Sequence, residues 1–315
     1  MYYFASDMHL GLPPAAETAG RERLLIRWLR EAATDAEAIF LVGDVFDFWY
    51  EYRRVVPKGF VRLLGTLAEL TDRGIAIHFF TGNHDMWAYD YLERECGVQV
   101  HATPLEMTCY GKRLFITHGD DITAREHGFW TRRMNGCFRS KTMRWLFSHL
   151  LHPDLALRFG HAWSSHSRKS KAVAHRFLGE AEPMVHFARQ YATSHPVDYF
   201  IFGHNHCAEV YPLDDRSTAV FLGEWIEHPT YATLSPDGRI ALSPSIRFAL
   251  RGLLLLSVLH PLSPRPARTL SSPVTLPPPG PRAVLLTPPG VLPLFCFPAP
   301  LLNHDTACTC HHSCC

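Results

Sequence analysis

"IAIHFFTGNHDMW", Ile75–Trp87, carries the decision about the fold. Its near-continuous apolar start reads as a strand buried on both faces, and Gly82 supplies the turn that ends it. Asn83, His84 and Asp85 then bring an amide, an imidazole and a carboxylate together, more polar chemistry than a turn requires. Upstream, "YYFAS" (Tyr2–Ser6) and "AIFLVG" (Ala38–Gly43) are two further strands. Between the strands, "RERLLIRWLREAA" (Arg21–Ala33) has the three-and-four apolar spacing of an amphipathic helix, and "GFVRLLGTLAELTDRG" (Gly59–Gly74) is a second helix stopped by a glycine. Strand and helix in alternation, with strands this apolar, predict an α/β fold whose parallel sheet is covered by helices. Sites in such sheets form just beyond the carboxyl ends of the strands.

The polar residues gather at those ends. Asp7 and His9 follow the first strand, Asp44 the second, and Asn83, His84 and Asp85 the third; "RLFITHGDD" puts His118 after another strand, and "DYFIFGHNHC" puts His204 and His206 after a fifth. Taken singly, a Gly-Asp is a cap or turn and a histidine is a core or surface residue. Five strand ends furnished in this way point together to metal. Continued extended geometry would send Asp7 and His9 to one side as a pair, and His204 and His206 likewise. The seven candidate ligands are Asp7, His9, Asp44, Asn83, His118, His204 and His206, enough for two divalent ions bridged by Asp44. With oxygen and nitrogen donors and no thiolate, the set suits Mn²⁺ first, with Fe, Zn²⁺ or Mg²⁺ also compatible. Paired ions about 3.5–4 Å apart are the arrangement of hydrolases acting on phosphate esters.

Composition limits the remaining possibilities. The 315 residues carry 31 Lys+Arg against 30 Asp+Glu, so no whole-chain charge argues for nucleic acid as a partner. Cys96, Cys109, Cys137 and Cys207 lack CxxC spacing, as expected of a reduced, cytoplasmic protein. The amino terminus reads as a strand rather than a signal peptide, and no apolar run is long enough to cross a membrane. Composition changes near residue 243: Gly238–His304 contains no Asp or Glu, and 14 of the 24 prolines lie from Pro244 onward. The expected organisation is one domain over 1–245 and a Pro-rich, disordered or non-native tail over 246–315. The cysteines and histidines of "CTCHHSCC" at the end of that tail stand too close together for the usual zinc geometry.

The ordered motifs "DMH", "GDVFD", "GNHD", "THGD" and "GHNH" resemble those of the calcineurin-like metallophosphoesterase superfamily. Within it, "SDMHLGL", "LVGDVFDFWYEY", "FFTGNHDMW" and "FGHNHCAEV" are similar to the UDP-2,3-diacylglucosamine pyrophosphatase family of lipid A biosynthesis. The resemblance covers about residues 1–242. It implies a sandwich of two β-sheets flanked by helices, with a helical cap insert over about 122–192. It further implies one ion on Asp7, His9, Asp44 and His206 and the other on Asp44, Asn83, His118 and His204, with His84, oriented by Asp85, against the phosphate under attack. The implied reaction is hydrolysis of a UDP-linked pyrophosphate to UMP and 2,3-diacylglucosamine 1-phosphate, by an enzyme held peripherally on the cytoplasmic face of the bacterial inner membrane. Asn83, His84, Glu126, Ser167, Arg168 and Lys171 are the implied substrate contacts.

The insert bears on the choice of substrate. Ile122–Gln190 holds 12 Lys+Arg and 4 Asp+Glu, interleaved with apolar residues such as Trp145, Leu146 and Phe147. Such a segment is either a cap with a solvated basic face or a lid for acyl chains beside anionic headgroups. A phosphoesterase of soluble nucleotides, dinucleoside polyphosphates or phosphoproteins would share every metal ligand, and a non-catalytic scaffold of the same fold is the other alternative. Trp49, Tyr50 and Tyr52 either pack around the mouth of the site or belong to the core, the commoner place for aromatics flanking a buried strand; Asp47 is expected to orient a ligand, and Asp120 and Asp121 to accept from a ligating histidine. His149, His152, His161 and His166 are expected at the surface.

Overall fold

A computed structural model describes residues 1–126, 133, 136, 140–150, 152–155 and 177–245. Every described residue belongs to one compact unit, which begins at Met1. The expected tail lies outside the described residues, as do Ser167, Arg168, Lys171, His161 and His166.

Two mixed sheets flanked by helices form, as the resemblance implies, where the patterning alone predicts a single parallel sheet. The first contains β1 (Tyr2–Ala5), β2 (Ala38–Val42), β3 (Ala76–Phe80), β4 (Gln99–His101), β10 (Thr230–Leu234) and β11 (Ile240–Pro244), in the order β11-β10-β1-β2-β3-β4. β1 to β4 are parallel, whereas at one margin β10 runs antiparallel to β1 and β11 antiparallel to β10. The second contains β5 (Leu105–Cys109), β6 (Lys112–Thr117), β7 (Tyr199–Phe202), β8 (Ala208–Pro212) and β9 (Thr218–Leu222), in the order β5-β6-β7-β9-β8. Its three middle strands are parallel and both edges antiparallel.

Alternation along the strands explains why two sheets form. Phe4, Phe40, Val42 and Phe80 point from the first sheet into a common core with Leu114, Ile116, Ile201, Val220 and Leu222 of the second. The intervening Tyr3, Ala5, Ile39, Leu41, Ile77 and Phe79 face Leu25, Trp28 and Leu29 of α1 (Ala15–Ala32), Leu63, Leu67 and Leu70 of α2 (Val61–Asp72) and Leu92 of α3 (Tyr91–Cys96). On the far side of the second sheet, Phe115, Phe200, Phe202 and Phe221 pack with Ile122 of α4 (Asp120–Glu126) and Met184, Val185 and Ala188 of α6 (Pro183–Ala192). Each strand is apolar on both faces because one meets helices and the other meets the opposite sheet. Of the insert, α5 (Lys141–Leu150) is described. The parallel strands of both sheets end at the same place, so their carboxyl-terminal loops converge.

Candidate metal centre

The first polar loop begins as β1 ends. Asp7 and His9 are buried, with φ of 59° and 46°. Asp44 follows at 52°, His204 at 68° and His206 at 59°. These five residues lie in the left-handed region, which L-residues occupy at a cost and which clusters at functional sites. Asp7 and His9 do converge as expected, but through left-handed kinks rather than by alternation along an extended strand, whereas His204 and His206 part company, His206 joining Asp7 and His9 and His204 joining Asp44 and His118. The kinks are tied down from several sides. Asp7 N–H donates to the Gly43 carbonyl at 3.1 Å, His9 N–H to Asp44 O at 3.0 Å, and Trp225 N–H to Asp7 O at 3.0 Å. Ser6 Oγ donates to Asp7 Oδ2 at 2.6 Å and His204 N–H to the same oxygen at 2.9 Å, joining the two sheets.

Three loops reach their donors through a glycine. A Cβ on Gly43 would lie 2.4 Å from His118 Nδ1, on Gly82 2.2 Å from Asp44 Oδ1, and on Gly203 2.1 Å from Ser6 Oγ. The glycine before Asp44, Asn83 and His204 is thus a spatial requirement of the centre.

The donors form two neighbouring groups that meet at Asp44. Asp7, His9 and His206 make one and Asp44, His118 and His204 the other; within each, donor atoms lie within 4.8 Å of one another, as they do for His9, Asp44 and His84. Asp44 Oδ2 is 3.3 Å from His118 Nε2 and 3.9 Å from His9 Nε2, so one carboxylate oxygen faces both groups. Its Oδ1 accepts from His84 N–H at 2.8 Å, which fixes the carboxylate plane. His206 Nε2 lies 3.2 Å from Asp7 Oδ1 and 3.3 Å from His9 Nε2. Asn83 Oδ1, Asp7 Oδ1 and His118 Nε2 are buried without a hydrogen-bond partner among the described residues. Orphaned donors of this kind, with two imidazole nitrogens aimed at one point, fit a pair of divalent cations.

The electrostatics agree. Burial opposes charge on Asp7, yet His206 and His9 outweigh it and hold this carboxyl well below its ordinary range. Asp44 behaves likewise, with burial opposed by His118 and His84. Burial disfavours a charged His118, but Asp44 and Asp7 raise it to about 10; His9, opposed by burial in the same way, is raised by Asp47, Asp7 and Asp44 to about 9. The carboxylates thus demand positive charge, which bound cations supply without protonating the imidazoles.

The supporting contacts correct two expectations. Asp85 does not orient the His84 ring: its Oδ1 accepts from Gly82 N–H at 2.7 Å and its Oδ2 from Val45 N–H at 2.8 Å, so it ties the Asn83 loop to the Asp44 loop. Burial and the neighbouring Asp44 push Asp85 up to about 7. The His84 ring is instead fixed by Asp47, whose carbonyl accepts from Nδ1 at 3.0 Å. His118 Nδ1 donates to the Val42 carbonyl at 2.9 Å, a backbone acceptor in place of the expected Asp120 or Asp121. The role expected of Asp47 fits its position, with Oδ1 3.5 Å from His9 Nδ1. Thr123 Oγ1, 3.1 Å from His204 Nε2, carried no signal in the sequence beyond its nearness to His118.

Beside the centre stands an aromatic wall. Trp49 belongs to the core, as expected. Tyr50 packs on Tyr52 at 4.7 Å and on Trp87 at 5.5 Å between ring centroids, and Phe147 of α5 closes on Tyr50 at 6.2 Å. A cavity of about 550 Å³ opens here, starting at Leu10 and Gly11 directly after His9 and walled by Phe48, Tyr50, Val56 and Phe60. On α5, Trp145 is 57% exposed and stacks with the exposed His149. Glu126 is the last residue of α4.

Comparison with known proteins agrees with this geometry. Residues 2–208 match the family described as calcineurin-like phosphoesterase. A UDP-2,3-diacylglucosamine hydrolase of Porphyromonas gingivalis is 38% identical over 247 residues, covering 73% of this chain and 92% of the relative. Proteins of the same name from Edwardsiella ictaluri (28% identical; 75% of this chain, 88% of the relative) and Escherichia coli (26%; 74% and 95%) match the same share. With its motifs at converging strand ends and a match over most of its folded length, the chain belongs to the calcineurin-like phosphoesterase family.

Proposed function

We propose that this protein is a dimetal hydrolase that cleaves the pyrophosphate of UDP-2,3-diacylglucosamine, giving UMP and 2,3-diacylglucosamine 1-phosphate in lipid A biosynthesis. The observation that carries the reading is the apolar cavity beginning at Leu10 and Gly11, immediately beyond His9. Its wall is mainly aromatic and aliphatic, with Lys58, His152 and Asp154 as the charged or polar members, and a cavity of about 550 Å³ lined in this way suits acyl chains better than a soluble nucleotide. The relatives named as UDP-2,3-diacylglucosamine hydrolases point to the same substrate.

Asp7, His9, Asp44 and His206 would hold one ion, and Asp44, Asn83, His118 and His204 the other. When bound, such a pair supplies Lewis acidity toward a phosphoryl group and makes water more acidic. Asp44 fixes the spacing of the two halves, because its Oδ2 faces both while Oδ1 is held by the His84 amide. His84 presents Nε2 toward the same space, since Asp47 O engages Nδ1. Burial lowers the His84 imidazole to about 4 despite Asp44, so it stands neutral until an anionic phosphate restores its proton affinity and lets Nε2 donate to the departing oxygen. Mn²⁺ is the ion we assign, from oxygen and nitrogen donors without thiolate.

The acyl chains bring the reaction to a membrane. Among the described residues no helix is long and apolar enough to cross one. Exposed Trp145, Leu146 and Leu155 suit peripheral attachment to the cytoplasmic face of the inner membrane. Protein reconstituted with Mn²⁺ and assayed for UMP release tests the reading. Rapid turnover of UDP-2,3-diacylglucosamine, with slow turnover of an unacylated UDP-sugar and of diadenosine tetraphosphate, is the expected result. Preference for either soluble compound would overturn the substrate and leave the metal chemistry standing.

A further inference from the structure

α1 buries Arg21, Leu25, Trp28, Leu29 and Ala32. These positions trace one stripe along the helix, and an apolar residue is what the stripe calls for at its first position. A guanidinium stands there instead, with Arg21 only 6% exposed. Burying that charge is costly unless its hydrogen bonds are well used. Arg21 Nη1 donates to Met8 O at 3.1 Å and to His9 O at 2.8 Å. It therefore grips the two carbonyls around the left-handed kink at His9. The other half is held differently: His118 is set by its own bond to Val42 O, and the left-handed kinks at Asp44 and His204 are tied by the His9 N–H donating to Asp44 O and by the His204 N–H donating to Asp7 Oδ2.

We infer that Arg21 is a positioning residue for the Asp7, His9 and His206 half of the centre, holding the backbone so that His9 Nε2 and Asp7 Oδ1 face one ion. The inference rests on the metal reading above and extends it to a residue that touches neither ion nor substrate. Arginine suits the task because the two N–H bonds of Nη1 are fixed in the guanidinium plane and reach both carbonyls, whereas the donors of a lysine ammonium rotate on a flexible stem.

Mn²⁺ titration of metal-free protein, read by calorimetry and by electron paramagnetic resonance, tests it without relying on turnover. The wild-type chain should bind two ions. In Arg21→Met, which keeps the helix face filled, one of the two should weaken by about tenfold or more, the scale on which supporting contacts act on metal affinity. The weakened ion should be the one also lost in His206→Ala, not the one lost in His118→Ala. Arg21→Lys should lie between Met and wild type, and keeps the test open should Arg21→Met not fold. Unchanged affinities in both Arg21 variants, or equal weakening of both ions, would overturn the inference. Failure of the wild-type chain to bind two ions would instead overturn the metal reading itself.

Discussion

The metal centre and the insert beside it are built on different principles. Every candidate donor of the centre sits within four residues of a strand end, and backbone bonds set much of the geometry: the kinks at Asp7, His9 and Asp44 are tied by Gly43, Asp44 and Trp225, the His204 amide by Asp7 Oδ2, and the His118 and His84 rings by Val42 and Asp47. The insert meets the body through side chains, with Phe147 against Tyr50 and Trp87. On the function proposed, the chemistry depends on backbone geometry and the choice of substrate on side-chain packing, which can change without disturbing the reaction.

The sharpest break in that comparison is at Asp44, the residue both halves share. Asp44→Ala should reduce UMP release on the order of a thousandfold or more for acylated and soluble substrates alike, because electrostatic stabilisation is lost at the reacting phosphate. Steady-state rates on both substrates check this, and near-wild-type activity would remove the basis for a bridged centre. Next comes Gly82→Ala, whose new Cβ would lie 2.2 Å from Asp44 Oδ1. Mn²⁺ affinity should fall about 10–100-fold, while Gly65→Ala, with open space around it on α2, should stabilise the fold by about 0.4–1 kcal/mol. Calorimetric titration and thermal melts of the pair separate crowding at the centre from a general intolerance of alanine.

On the insert side the effect should be smaller and selective. Phe147→Ala removes a ring from the wall, and we expect about a tenfold loss in kcat/KM for the acylated substrate, the scale of a few methylenes' worth of apolar contact, with the soluble UDP-sugar untouched. Equal losses on both would mean that α5 shapes the centre itself.

The smallest effect belongs to the body beneath both regions. His78 faces the core between the sheets, with Nδ1 2.9 Å from His101 Nε2 and its ring stacked on Phe40. Burial, then the charge of His101, lowers it from 6.5 to about 4. Because the folded form binds its proton more weakly than the unfolded form, the stability this pair provides is complete above about pH 6.5 and drains away as pH falls toward 4. Melts between pH 7 and 5 should show a fall in Tm that is a few degrees shallower in His78→Phe; identical slopes would assign the acid sensitivity to other groups.

The comparison also explains what the sequence discloses. All seven donors are legible because each follows an apolar strand, and strands reveal themselves by pattern. The glycines of Gly43-Asp44, Gly82-Asn83 and Gly203-His204 are legible as turns, but that each leaves room for a neighbouring donor emerges only when the loops meet. The second sheet is expected from the motif resemblance but hidden from the pattern, because a strand facing another sheet and a strand facing helices are equally apolar. Asp85 is misread for a related reason. Adjacency to His84 suggests a side-chain partnership, whereas the loop turns Asp85 onto the amides of Gly82, Val45 and Phe46. Arg21 left one trace, a basic residue in register with Leu25, Trp28 and Ala32, and what it holds lies in a different loop.

The most direct test of the account is the state of two Mn²⁺ ions bound to the wild-type chain and to Asp44→Asn, followed by electron paramagnetic resonance. Two ions that share the Asp44 carboxylate should give an exchange-coupled spectrum at two equivalents, and Asp44→Asn should weaken or abolish the coupling. A single bound ion, or two ions with the spectrum of isolated Mn²⁺ in the wild-type protein, would contradict it.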